Sequence, residues 1–144
     1  MRAVDTNILV HAHRQEPHEH AVAEKLLSQL GSGAEPWAIP WPCIYEFLRV
    51  VTHPRLFHPP TPLEMAWEAV GALLDSPSVV VLSESERHRA VVAELLRDTP
   101  VAGNLLHDAH IAALLIEHGV DEILTADEDF RRFRKLRVTN PFRP

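Results

Sequence analysis

Short apolar runs recur along the chain, each followed by residues of helical periodicity, and few architectures accommodate that alternation. Met1–Val4 reads as a first strand, Trp37–Ile39 as a second, Val79–Leu82 as a third and Glu122–Thr125 as a fourth. Arg137–Thr139 is a candidate fifth. Val79–Leu82 is apolar on both sides, as a buried parallel strand would be. Between them, helices are predicted from Ile8 to His13, Pro17 to Leu30, Pro42 to Thr52, and Asn104 to His118, the last stopped by Gly119. Thr61-Pro62-Leu63-Glu64 and Ser83–Glu86 read as capping boxes. The first opens a helix with Ala66, Ala69, Val70 and Leu73 on one face, the second a helix reaching about Asp98. The Pro-rich stretch from His53 to Pro62 is a loop. Helical crossovers between strands imply right-handed connections. The expected fold is α/β: a three-layer α/β/α sandwich on a mostly parallel central sheet of four or five strands. Active sites in such folds lie beyond the carboxyl ends of the strands.

A chain of 144 residues, 46% of them hydrophobic, suits one domain spanning residues 1–144 with one core. No apolar run is long enough for a membrane span. The N-terminus does not resemble a signal peptide, since a carboxylate arrives at Asp5. The single cysteine, Cys43, excludes an internal disulfide and a multi-cysteine zinc site. The cytoplasm is the simplest location. A net charge of −6 sits awkwardly with a nucleic-acid partner. However, Arg131, Arg132, Arg134, Lys135 and Arg137 cluster near the C-terminus, and all basic residues except Lys25 and Lys135 are Arg, the better fork for phosphate. A solvated helix end and strand edge would explain that cluster equally well.

Four carboxylates stand in unusual places. Asp5 and Asp127 follow the first and fourth strands and so share one rim of a parallel sheet, although Asp at a helix start is also a common cap. Asp108 lies in line with Ile111, Ala112 and Leu115, on the apolar face of its helix and near the positive end of the helix dipole. Glu46 lines up with Cys43 and Val50 in an otherwise largely apolar segment. A pair with Arg49 is not expected, on the argument that helix neighbours do not face each other. Inward carboxylates are costly without compensation, and four together raise one another's pKa. A hard divalent cation relieves both problems. It would also suit phosphodiester hydrolysis, with no side-chain nucleophile required.

These segments resemble the PIN-domain ribonucleases, in particular the VapC-type toxins of toxin–antitoxin pairs. Val4-Asp5-Thr6-Asn7-Ile8-Leu9-Val10 is similar to the family's opening strand and first acid. Tyr45-Glu46-Phe47-Leu48-Arg49-Val50-Val51-Thr52, His107-Asp108-Ala109-His110-Ile111-Ala112-Ala113 and Thr125-Ala126-Asp127-Glu128-Asp129-Phe130 resemble the segments carrying the other three. The resemblance covers nearly the whole chain. It implies magnesium- or manganese-dependent RNA cleavage, a homodimer, and a cognate antitoxin that blocks the site. It makes Asp5, Glu46, Asp108 and Asp127 the catalytic acids, with Asp5, Asp108 and Asp127 on the metal. Thr6, Asn7 and Thr125 would support them, and Asp129 is a possible fifth acid or a helix-entry residue. Arg14, Arg49, Arg131, Arg132 and Arg134 are candidates to hold RNA. His107 stands where many relatives have Asn, placing an imidazole beside the third acid.

Other readings are a catalytically inactive PIN-like module binding RNA or protein, and an HD-type phosphohydrolase suggested by His107-Asp108. The first would be expected to lose its acids, and the second is all-helical. A haloacid-dehalogenase-like phosphatase would need an Asp where Asn7 stands. No HExxH or CxxC pattern supports zinc. His11, His13, His18, His20, His58, His88 and His118 are read as surface histidines.

Overall fold

The computed structural model describes residues 1–143. Among these the chain runs through β1 (Arg2–Val4), α1 (Thr6–His13), α2 (His20–Ser32), β2 (Trp37–Pro40), α3 (Trp41–Val51), α4 (Leu63–Leu74) and β3 (Val79–Leu82). It continues through α5 (His88–Asp98), α6 (Leu105–Glu117), β4 (Glu122–Leu124) and β5 (Arg137–Thr139), with a 3-10 turn at Glu128–Arg132. The five strands form one sheet in the order β3-β2-β1-β4-β5, every pair parallel. This is the α/β architecture expected from the alternation, and it rules out an all-helical HD-type fold.

Strand order positions the site. The chain steps outward from β1 through β2 to β3, then returns to the other side of β1 with β4. The reversal opens a crevice beyond the carboxyl ends of β1 and β4, where parallel sheets take ligands. Helices α1 to α4 pack among themselves, as do α5 and α6. Right-handed crossovers in opposite directions place the two groups on opposite faces of the sheet.

Ala3, Val4, Ala38, Ile39 and Ile123 are fully buried in the central strands. Trp37 is buried beside them and donates its indole N–H to Ser78 Oγ at 3.1 Å. In α6 every residue from Ile111 to Leu115 is buried, so the helix bearing Asp108 is enclosed well beyond one stripe. It ends as its sequence predicts. Gly119 has φ of +71°, its N–H donates to the Ile116 carbonyl, and the Val120 N–H donates to the Leu115 carbonyl at 2.8 Å. That is a Schellman closure, which needs the left-handed residue glycine supplies.

Several boundaries differ from those read in the sequence. β3 is an edge strand with Val80 exposed, because no further strand covers it. Neither predicted capping box caps its helix. α5 starts at His88, while Ser85 Oγ accepts the Arg87 N–H in the preceding turn. α4 starts at Leu63, and the Thr61 hydroxyl instead lies 3.0 Å from both His13 Nε2 and Arg14 Nη1. α1 begins earlier, at Thr6, because Asp5 caps it, and α2 begins later, at His20, after a turn from Pro17.

Arg14 is anchored against the Pro-rich loop. It donates to Thr61 and to the Pro59 carbonyl, pairs with Glu16, and lies over the Phe57 ring at 4.5 Å. Its side chain is only 13% exposed. These contacts tie the loop to α1 and engage the guanidinium that the sequence offered as an RNA contact.

Candidate metal centre

β1 and β4 are joined just where their acids emerge. The Asp5 N–H donates to the Leu124 carbonyl at 3.1 Å. Asp5 Oδ1 then accepts the Thr6 N–H at 2.7 Å, capping α1, and the Cys43 thiol lies 3.6 Å from the same oxygen. Its Oδ2 accepts from the Thr125 hydroxyl at 2.7 Å and from Asn7 Nδ2 at 3.1 Å. Thr125, fully buried, is the hub. It also accepts from Asn7 Nδ2 at 2.9 Å and from the Asp127 N–H at 2.9 Å. Asn7 Oδ1 accepts the Ala126 N–H at 3.0 Å. Asp127 Oδ1 in turn caps the 3-10 turn by accepting the Asp129 N–H at 2.8 Å. Asp5 and Asp127 are therefore both helix caps and rim acids, and the two readings of their positions are compatible.

Asp108 projects from the first turn of α6 toward the same rim. One carboxylate oxygen from each of Asp108, Asp127 and Asp129 falls within a 4.8 Å cluster. Asp5 adjoins this cluster and influences Asp108 through its charge. Asp129 thus takes a place among the acids that the sequence left open.

Glu46 stands apart. It is salt-bridged to Arg49, whose Nε donates to it at 3.0 Å, so the expectation that these two would not pair is corrected. The pair is one helical turn apart, the spacing at which side chains do meet. Glu46 also feels the charge of His107, so the imidazole lies toward this edge of the site.

The charges have clear physical consequences. Burial pushes the Asp5 carboxyl up, against the hydrogen bonds from Thr125, the Thr6 N–H and Cys43, while Asp127 pushes it further. Burial, and then Asp127, Asp5 and Asp129, raise Asp108 from the ordinary 3.8 to about 7, with Arg132 alone pulling it back. No hydrogen bond from the described residues offsets this. Glu46, by contrast, is held below the usual carboxylate range by Arg49, against its partial burial and helped by His107.

Asp108 is thus a carboxylate short of positive charge, facing two others. The donors are all hard oxygens, as magnesium and manganese require. Burial drives the Cys43 thiol well above its ordinary value, so it stays protonated as a donor to Asp5 and offers no thiolate. The Thr6 hydroxyl is buried with no oxygen or nitrogen partner and only that thiol beside it. The residues fit a hard divalent cation. Sequence reasoning missed Cys43 as a support for Asp5, although its place one turn before Glu46 was legible.

Four of the five basic residues clustered near the C-terminus are paired with acids. Arg131 bonds Glu128, Arg132 bonds Asp129, Lys135 reaches Glu94 and Arg137 reaches Glu122. Among the described residues, Arg134 has no such partner. His13 and His88 are not the plain surface groups their sequence suggests, since each is less than half exposed and bonded to a buried side chain.

Residues 2–136 match the PIN domain family. The chain is 42% identical over 141 residues to the VapC ribonuclease Mb2897 of Mycobacterium bovis, covering 98% of this chain and 95% of that protein. It is 35% identical over 139 residues to ribonuclease VapC48 of Mycobacterium tuberculosis, covering 96% and 95%. Among solved structures, VapBC2 from Rickettsia felis, bound to a DNA fragment from its promoter, superposes with a TM-score of 0.69 at 20% identity, covering 96% and 97%. The sarcin-ricin loop cleaving toxin VapC20 of M. tuberculosis gives 0.66 at 17% identity, covering 91% and 93%.

Proposed function

Because the chain belongs to the PIN-domain family, we propose that it is a metal-dependent endoribonuclease and the toxin of a type II toxin–antitoxin pair. Its cofactor is magnesium or manganese, and its partners are an RNA substrate and a cognate antitoxin. It works as a homodimer in the cytoplasm, with residues 1–144 acting as a single nuclease domain. Near-full-length similarity to proteins named ribonucleases supports the activity. The observation that carries the reading is the convergence of Asp108, Asp127 and Asp129, one carboxylate oxygen from each lying within 4.8 Å of the others.

Asp108, Asp127 and Asp129 would hold the cation, with Asp5 closing the cluster from the end of β1. A bound divalent cation supplies positive charge that activates water and stabilises the leaving oxygen of the phosphodiester. The chain's own contribution is preorganisation. Thr125 and Asn7 fix the Asp5 carboxylate by two hydrogen bonds and lock the Asp127 loop to the same frame. Orienting groups of this kind typically govern metal affinity or activity by about 10- to 100-fold. Glu46, held ionised by Arg49, adds negative charge at the α3 edge and orients water there. Arg132, which already balances Asp108, is the basic residue best placed for a phosphate contact.

The test is cleavage of a mixed structured RNA pool by wild type and by Asp5→Asn, with magnesium, with manganese and with excess EDTA. Metal-dependent cleavage that disappears in Asp5→Asn is expected. Cleavage that survives both EDTA and the substitution would overturn the proposal.

A further inference from the structure

A second group of ligating side chains lies between α5 and α6. Glu84, in the turn after β3, His88, at the start of α5, and His110, on α6, each place a ligand atom within 4.8 Å of the others. His110 Nε2 is 2.7 Å from Glu84 Oε1, and the His88 and His110 rings meet edge-on with centroids 5.7 Å apart. None of the rim acids belongs to this group. His110 is two residues beyond Asp108, roughly 200° around the helix, so the two side chains leave α6 in different directions.

Behind His88 lies Glu117, whose side chain is wholly inaccessible to solvent. Its carboxylate oxygens are 3.1 and 3.0 Å from His88 Nδ1 and take the Ser85 N–H at 3.3 Å. Arg87 donates to the Glu117 carbonyl, pinning the same turn. A carboxylate on one imidazole nitrogen fixes the tautomer and presents the other nitrogen, Nε2, with its lone pair free. A buried carboxylate held on the far nitrogen of an imidazole is the arrangement that orients a metal-ligating histidine.

We propose that Glu84, His88 and His110 form a second cation site of the zinc class, with Glu117 as the positioning group for His88. Two imidazole nitrogens and one carboxylate oxygen match zinc's preferences and suit magnesium poorly. Glu84 is half exposed and His110 about a third exposed, so solvent fills the remaining coordination position. The bound ion ties the turn after β3 and the start of α5 to the middle of α6. Its chemistry is independent of the rim acids and of the ribonuclease reading.

The test is zinc titration by calorimetry, on the full chain carrying Asp108→Asn and Asp127→Asn so that the rim acids do not compete. A single zinc equivalent is expected, undisturbed by a hundredfold excess of magnesium. His110→Ala in that background abolishes it, and Glu117→Gln weakens it by about 10- to 100-fold. Melting curves in EDTA check that each variant is folded, and His110→Gln replaces His110→Ala if the latter is not. In cobalt, a tetrahedral visible absorption band should appear in the background protein and vanish with His110→Gln. No zinc uptake by the folded background protein, or uptake indifferent to both His110 substitutions, overturns the proposal.

Discussion

Replacing Asp108 by Asn should stabilise the metal-free protein at alkaline pH while abolishing cleavage. Moving a carboxyl from the ordinary 3.8 to about 7 corresponds to about 4 kcal/mol of unfavourable ionisation. Asp108 is only partly buried, and screening by water reduces this to about 2 kcal/mol. For 144 residues that is roughly 6 °C in Tm. The folded protein binds the Asp108 proton more tightly than the unfolded chain does. The associated stability is therefore complete below 3.8 and is lost as pH rises through about 7. Asn carries no such loss, so its advantage grows with pH. Thermal and urea unfolding in EDTA, at about pH 5 and about pH 8, measure it. The gain should be about 2 kcal/mol at the higher pH and smaller at the lower. An equal gain at both, or a loss at the higher pH, would refute the assignment of Asp108 as an uncompensated acid.

Thr125→Val removes the hydroxyl that links Asp5, Asn7 and the Asp127 N–H. RNA cleavage should fall by about 10- to 100-fold, with about 1–3 kcal/mol of stability lost in denaturant titrations. Burial pushes the Glu122 carboxyl up, but the Thr139 hydroxyl and Arg137 outweigh it and hold the group below its ordinary 4.5. Its stabilisation is therefore present above 4.5 and lost as pH falls through the lower folded value. Glu122→Gln should cost about 1 kcal/mol near pH 7, and urea titrations should show the difference from wild type narrowing in acid. Arg14→Ala should lower Tm measurably and leave RNA affinity unchanged, since its donors serve Thr61 and Pro59. Weaker RNA binding with an unchanged Tm would reverse that reading.

The layered fold was legible because each strand carries its own apolar run and each helix its own period. Gly119 even marked the end of α6 correctly. The start of α5 was not legible, because Ser85 satisfies a local turn instead of a helix. Nor was the exposed position of β3, since an apolar run does not say whether a neighbour will cover it. For the site, Asp5, Asp108 and Asp127 converge as their strand-end and apolar-face positions suggested. Asp129 could not be ranked from sequence, because its contribution depends on how tightly the 3-10 turn folds it back toward Asp108. Arg49 was misjudged for a simpler reason: one turn along a helix is contact distance. The pairing of His88 with Glu117 joins two helices and leaves no local pattern at all.

Asp5 and the Thr125 hydroxyl that holds it are 120 positions apart. During translation, the first acid is made almost at once, whereas β4 and the Asp127 loop are made only near the end of synthesis. Until then one edge of β1 has no strand to pair with, and slow, long-range closure must wait for the missing partner. The rim acids therefore cannot come together until nearly the whole chain has been made. A product cut short before Thr125 would retain Asp5, Glu46 and Asp108 but no working centre. It would also expose an unpaired strand edge, the kind of surface that drives aggregation.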